Sequence, residues 1–219
     1  MMYNARVPEN VTPSRSRDVR VITTMDREFE LRLVHRLRTG DTEAFNAVHD
    51  AFSRRIFNFL ARLSNRRDVA EDLLEETWLR LVVHAPRLRS DTRLGPWLLT
   101  VARNLHTSYC RSRLLEESHN ETLLGLWPNG RPGPSPLECV EADETQRRVA
   151  MVLASLPIAY REALLLVVIE GLRHSEAAEI CGLSTDAMRQ RVSRGRALFA
   201  RHMKDGEAPA PASLKEVAI

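Results

Sequence analysis

The sequence predicts an all-α fold of two small helical domains joined by a Pro-rich linker, and three observations predict it. No run sustains a strand period. Four prolines within nine residues, Pro128 to Pro136, forbid a helix and favour extended chain. The stretch 171–196 sets a short helix, a glycine turn and an arginine-studded second helix in a row. These signals place helical domains at 26–118 and 140–203 with a linker at 119–139. Residues 1–25, polar and aperiodic with Pro8, Pro13, Arg15 and Arg17, read as a flexible arm, and 204–219, with Pro209 and Pro211, as a flexible tail.

Start and stop signals resolve the first domain. A helix from about Asp26 to Arg38 is closed by Gly40, and Asp41 caps a second that runs to about Leu63. Asp68, with Glu71 three residues on, is expected to cap a third, and Pro86 lies just past its end. A loop from Pro86 to Leu94 leads into a fourth helix, about Gly95 to Glu117.

The third helix carries two unlike faces. With Ala70 at zero on a wheel of about 100° per residue, Leu73, Leu74, Thr77 and Leu81 fall within about 60° and form a core stripe flanked by Trp78. On the other side Glu71, Asp72, Glu75 and Glu76 surround Leu79 and Val83. A solvated face has no need of leucine at its centre, whereas a docking site for a basic, partly apolar partner does. Isolated surface apolar residues are common, however, and supply the bland alternative. The fourth helix has the opposite electrostatics: Trp97, Leu98, Val101, Leu105, Ser108 and Tyr109 are expected to face the core, and Arg103, His106, Thr107, Cys110, Arg111 and Arg113 to face outward. An acidic and a basic helix in one domain imply two partners, one of them nucleic acid.

In the second domain Ser175 is expected to cap the first helix of the hairpin, Gly182 to supply a positive-φ turn, and Ser184 to cap the second helix. Val192, Gly195 and Phe199 fall within about 40° of Met188 on the same wheel, and the four face the core. Ser184, Thr185, Asp186, Arg189, Gln190, Arg191, Ser193, Arg194 and Arg196 remain for phosphates and base edges. Helical hairpins and arginine-rich faces are also common in chains that never touch DNA, so this motif needs the rest of the sequence beside it.

Composition narrows the classes. At 219 residues and 43% hydrophobic content the chain can bury real cores, and a net charge of +3 requires any nucleic-acid affinity to come from local clusters. Cys110, Cys139 and Cys181 form no Cys-x-x-Cys pair and have no histidine cluster at metal spacing, so they read as reduced thiols with no metal site. No nucleophile–base pair or Gly-rich phosphate loop is visible, which predicts a protein without catalytic residues or cofactor. No apolar run reaches signal or membrane-span length, so a cytoplasmic location without membrane insertion is expected.

Ala-Glu-Asp-Leu-Leu-Glu-Glu-Thr-Trp-Leu-Arg-Leu at 70–81, Trp-Leu-Leu-Thr-Val-Ala-Arg-Asn at 97–104, the linker and the helix-turn-helix together resemble the extracytoplasmic-function sigma factors of bacterial RNA polymerase, over roughly residues 26–203. The resemblance implies that the first domain is region 2, which docks on the polymerase clamp and reads the −10 element. The second would be region 4, reading the −35 element, with the linker threaded through the enzyme. Asp72, Glu75, Glu76 and Leu79 match the clamp-binding helix, which agrees with the acidic face that also holds Glu71 and Val83. The loop with Arg87, Arg89, Ser90, Asp91 and Arg93 matches the segment that captures an unstacked base, and Arg103, Asn104, Thr107 and Arg111 the helix that meets the −10 strand. Leu88 and Leu94 stand in that loop in place of an aromatic residue, Glu75 where the family usually has glutamine, and Asp186 and Ala187 where it usually has glycine and threonine. The expected partners are RNA polymerase core, promoter DNA and an anti-sigma factor.

Two other readings of the residues stay open at this point. A helix-turn-helix regulator that is not a polymerase subunit leaves the acidic helix unexplained. A sigma-like decoy that binds an anti-sigma protein leaves the arginines of 189–196 without a purpose.

Overall fold

The computed structural model describes residues 26–120 and 144–205, so the arm at 1–25, Cys139 and nearly all of the expected linker and tail lie outside the described residues. The N-terminal block is four helices, α1 Arg27–Arg38, α2 Thr42–Ser64, α3 Arg67–His84 and α4 Leu94–Asn120, with a 3₁₀ turn at Ala85–Arg87 before the loop to α4. The C-terminal block holds α5 Glu144–Ser155, α6 Ile158–Leu164 continuing into a π-helical turn at Leu165–Ile169, α7 His174–Cys181 and α8 Thr185–Asp205. No strand occurs among the described residues.

Local chemistry sets most boundaries. Asp41 accepts the N–H groups of Glu43 and Ala44 at 2.9 and 3.2 Å, as an N-cap should. Arg36 bonds the same carboxylate at 2.6 Å, and this partner together with the two N–H donors holds the Asp41 carboxyl below the usual range. Asp68 does not cap α3. The helix begins one residue before it, with Arg66 at the cap, and Asp68 lies in the first turn where its carboxylate pairs with Arg66. Ser175 is likewise inside α7: the helix starts at His174, and Glu176 accepts the N–H of Arg173 at 2.9 Å. In α7 an acid in the first turn thus does the work assigned to Ser175, and in α3 the expected cap residue lies in the first turn instead. Gly182 has φ +66°, and Ser184 caps α8 through the N–H of Ala187 at 3.2 Å.

The first core is built where α1, α2, α3 and α4 meet, from Leu33, Val34, Val48, Ile56, Phe59, Leu81, Leu94 and Leu98. Met188 and Val192 on α8 bury against the second, with Leu164, Leu165 and Ala177. Gly195 is required there for a close approach, since a Cβ would stand 3.2 Å from Leu164 Cγ and 3.3 Å from Tyr160 Cβ. The two sets of buried residues are continuous across the blocks, because α2 and α4 pack against α5, α6, α7 and the π turn.

Glu30 on α1 organises the entry to α4. Its Oε1 accepts the buried N–H of Leu94 at 2.7 Å and its Oε2 pairs with Arg27 at 2.6 Å. Arg27 also donates to the carbonyls of Asp91 and Thr92 at 2.6 and 3.2 Å, so one acid fixes both the helix start and the preceding loop. Glu30→Ala should destabilise the fold by about 1–3 kcal/mol by leaving the Leu94 N–H unpaired, and Glu30→Gln, which keeps the acceptor, by less. Urea unfolding of the two variants checks the order.

Candidate functional site

Three surfaces emerge from the helices. On α3 the acidic face is as the periodicity places it: Leu79 is 60% and Val83 68% exposed, and Val82 between them is 55% exposed. Glu71 and Glu76 make i,i+4 pairs with Arg67 and Arg80 at 2.8 and 2.7 Å, while Asp72 and Glu75 stand exposed beside the apolar centre. An open groove of about 550 Å³ between α2 and α3, lined in part by His49, Arg54, Phe57, Arg67 and Leu74, adjoins this face. Three large apolar side chains raised out of carboxylates form a surface that excludes water only when a partner covers it.

On α8, Arg189, Gln190, Ser193, Arg194 and Arg196 are exposed along one side, with Arg191 and Thr185 half-buried and Ser184 and Asp186 exposed at the N-terminus. Arg189 is held by Asp186 at 2.7 Å. The buried Met188, Val192 and Gly195 fix the opposite side, so the arginine face has a defined direction.

The third surface departs most from expectation. Leu88 and Leu94 are buried and anchor the ends of the loop, which leaves Arg87, Arg89, Ser90, Asp91 and Arg93 outside. Arg89 makes a two-bond pair with Asp91 at 3.0 and 3.1 Å. Arg93, however, is bonded to Glu176 of α7, and Arg103 to Glu162 of α6 at 2.7 Å. Asn104 and Arg111 are exposed, and the Thr107 hydroxyl returns to the Arg103 carbonyl at 3.0 Å. His106 and Cys110, assigned by periodicity to the outward side of α4, are 4% and 1% exposed. With Leu99 and Ala102 they form a second buried stripe, covered because the C-terminal block docks on that side of α4. Ser108 is correspondingly exposed rather than in the core.

The docked face has distinctive electrostatics. Arg161 is buried and donates to the carbonyls of Leu153 at 3.1 Å, Leu156 at 3.0 Å and Leu63 of α2 at 3.0 Å, with Ala154 as a fourth acceptor. Burial lowers its pKa to about 10, so it stays charged at neutral pH. Burial pushes His106 down to about 4, helped by the charges of Arg161 and Arg103, and raises the Cys110 thiol to about 11. Arg55 of α2 bonds the Glu170 carboxylate at 2.5 Å and its carbonyl at 3.2 Å. The π turn makes this reach possible: the Glu170 N–H bonds back to Leu165 at 2.8 Å, and the widened turn brings residue 170 against α2.

Sequence reading missed Arg55, Arg161, Glu162, Glu170, Glu176 and Val82. A signal existed for two of them: Arg161 and Glu162 are the only charges in the largely apolar run from Val152 to Ile169, and charges so placed are buried only when paired.

Models of sigma-70 region 2 and sigma-70 region 4 match residues 48–114 and 146–199. SigC, an ECF RNA polymerase sigma factor of Mycobacterium tuberculosis, is 30% identical over 183 residues, covering 80% of this chain and 91% of the relative. The chain belongs to the extracytoplasmic-function sigma factors. SigM of Bacillus subtilis is also 30% identical, over 163 residues, covering 72% of this sigma factor and 96% of the relative. Two solved structures share the fold. The sigma factor RpoE of Bartonella quintana, in complex with the anti-sigma factor NepR, has a TM-score of 0.61 at 24% identity, covering 74% of this chain and 98% of that one. CnrH, in complex with the cytosolic domain of CnrY, has a TM-score of 0.60 at 19% identity, covering 81% and 99%. Among the described residues no group of three or more His, Cys, Asp or Glu is placed to hold a metal ion, and no helix is long and apolar enough to cross a membrane.

The neutral state of His106 ties the docked arrangement to pH. The unfolded chain takes up a proton near 6.5 but the folded chain only near 4, so between these values the unfolded state binds more protons and stability rises with pH. On acidification from 6.5 to 4 this sigma factor should lose about 3 kcal/mol through His106 alone. Urea unfolding across that range should show a shallower pH slope for His106→Gln than for the natural chain.

Proposed function

We propose that this sigma factor binds RNA polymerase core through α3, with Leu79, Val83 and the acids Glu71, Asp72, Glu75 and Glu76 in contact, and directs promoter-specific initiation with its two arginine surfaces. The loop residues Arg87, Arg89, Ser90, Asp91 and Arg93, with Arg103, Asn104, Thr107 and Arg111 of α4, take the −10 strand. The α8 set, from Ser184 to Arg196, takes the −35 duplex. The observation that carries the reading is that one chain presents an apolar centre in an acidic field and, on a separate helix, an outward row of arginines. A DNA-binding regulator needs only the second and an anti-sigma decoy only the first.

The domain limits lie at 26–118 and 140–203, with 119–139 as linker. The chain acts as a binding subunit without catalytic residues or a cofactor, and it works in the cytoplasm beside the polymerase. Because two proteins of this fold were solved with an anti-sigma factor or a cytosolic partner domain, an anti-sigma protein is the third expected partner.

Transcription with purified core polymerase on a randomised promoter library tests the whole reading: selection of a paired −10 and −35 sequence supports it, and no core-dependent transcript overturns it. Leu79→Ala with Asp72→Asn should weaken core binding by a few kcal/mol at most while helicity is kept. Unchanged affinity in a core pull-down would remove α3 from the interface. Arg189 lies near the N-terminus of α8 and Arg196 two turns further on, so Arg189→Ala should relax base preference at one or two −35 positions. Arg196→Ala should weaken binding evenly and reduce the salt slope by about one. The same uniform loss in both variants across a −35 library would contradict this division.

A further inference from the structure

The loop before α4 is folded on a turn at 89–92, closed by the Thr92 N–H on the Arg89 carbonyl at 3.0 Å. Its next two carbonyls are taken by a residue from the far end of the block. Arg27, at the start of α1, donates to the Asp91 carbonyl at 2.6 Å and to the Thr92 carbonyl at 3.2 Å, across 64 and 65 residues of sequence. Glu30, with its side chain 11% exposed, holds the same guanidinium at 2.6 Å. The brace inside the loop, Arg89 on Asp91, has side chains 83% and 66% exposed, and an ion pair so open to water fixes little. The tether from α1, seated on a mostly buried acid, therefore does more to set the shape of the turn.

The two tethered carbonyls lie in the peptide planes that join residues 91 to 92 and 92 to 93, so their tilt decides where the side chains of Asp91, Thr92 and Arg93 project. Phosphate binding is tolerant of that tilt, since arginines on long stems can meet phosphate oxygens, which carry no sequence information, from many loop shapes. Base reading is not tolerant. A base edge is distinguished only when donors and acceptors meet it at the right distance and angle, and this loop has no aromatic side chain on which a base could stack.

We infer that Arg27 is a positioning residue for base selection at the −10 element, acting from α1 by holding the turn at 89–92 in its discriminating shape. The inference rests on the −10 assignment of the loop proposed above. Affinity and selectivity are then carried by different residues: the loop arginines hold phosphates, and the α1 tether keeps the turn fit to choose a base. Lysine cannot take the place of Arg27, because a single ammonium does not present the planar fork that grips two carbonyls and a carboxylate together.

The full chain assembled with core polymerase tests this on a promoter library randomised over the −10 element, with the salt dependence of binding to one selected promoter measured in parallel. Arg27→Ala and Arg27→Lys should each reduce the base preference at one −10 position about tenfold and leave the salt slope unchanged. Arg32→Gln, at an arginine of the same helix that pairs with Glu28, should alter neither. Where Arg27→Ala loses helicity, Arg27→Lys decides alone, since it keeps the charge and loses only the fork. A salt slope lowered by about one in Arg27→Ala, with slope and preference both restored in Arg27→Lys, makes Arg27 a phosphate contact and overturns the positioning role. Ser90→Ala/Asp91→Ala separates this inference from the reading beneath it. Preference lost in that variant but kept in Arg27→Lys overturns the role of Arg27 alone, whereas preference kept in both removes the loop from −10 recognition.

Discussion

The guanidinium of Arg161 joins the end of α5, the start of α6 and the end of α2 at a single buried point, with four carbonyls as acceptors and, among the described residues, no carboxylate as a hydrogen-bond partner. The last carbonyls of a helix have no intrahelical donors, and a fork of N–H groups satisfies several at once. Carbonyl dipoles rather than a counter-ion therefore balance this charge, which constrains its surroundings. Burial, with the charges of Arg161 and Arg103 beside it, keeps His106 neutral, and the acid next in sequence to Arg161, Glu162, pairs with Arg103. The docking of α2 on the C-terminal block thus rests in part on satisfying the Leu63 carbonyl through the same guanidinium that holds α5 to α6.

Period and capping chemistry made the elements legible. Asp41, Gly182 and Ser184 each sit where their side chain or lack of one dictates, and the stripe Met188, Val192, Gly195 is buried as the wheel places it. The α3 face was legible for the same reason, since a helix that packs within one block has one apolar stripe and any second one stands out. α4 was misread because it packs against both blocks. Leu98 buries against the N-terminal core, while Leu99, Ala102, His106 and Cys110 bury against the other block. A histidine and a cysteine in that second stripe look polar in a one-dimensional reading, and only the incoming block makes them core. The cross-block pairs were illegible for a related reason: Arg93 and Glu176 are 83 residues apart, and nothing local in either segment refers to the other.

The chemistry within each block differs from that between them. Each block is closed by leucine, valine and phenylalanine side chains that have no alternative partner in water. The contact between blocks adds arginine–glutamate pairs and two arginine–carbonyl bonds to its apolar layer. Ion pairs can be exchanged for other ion pairs or for water at small net cost, whereas apolar burial inside a block cannot.

That difference also bears on how a chain of net charge +3 can present two separate arginine surfaces. Local clusters rather than the mean charge set affinity for phosphate, and in this arrangement the acids lie where they can be subtracted. Glu162, Glu170 and Glu176 lie against the N-terminal block, while those of α3 surround Leu79. The direction of the α8 arginines, in turn, is fixed by Met188, Val192 and Gly195 inside their own block, so the two arginine surfaces are set by separate cores.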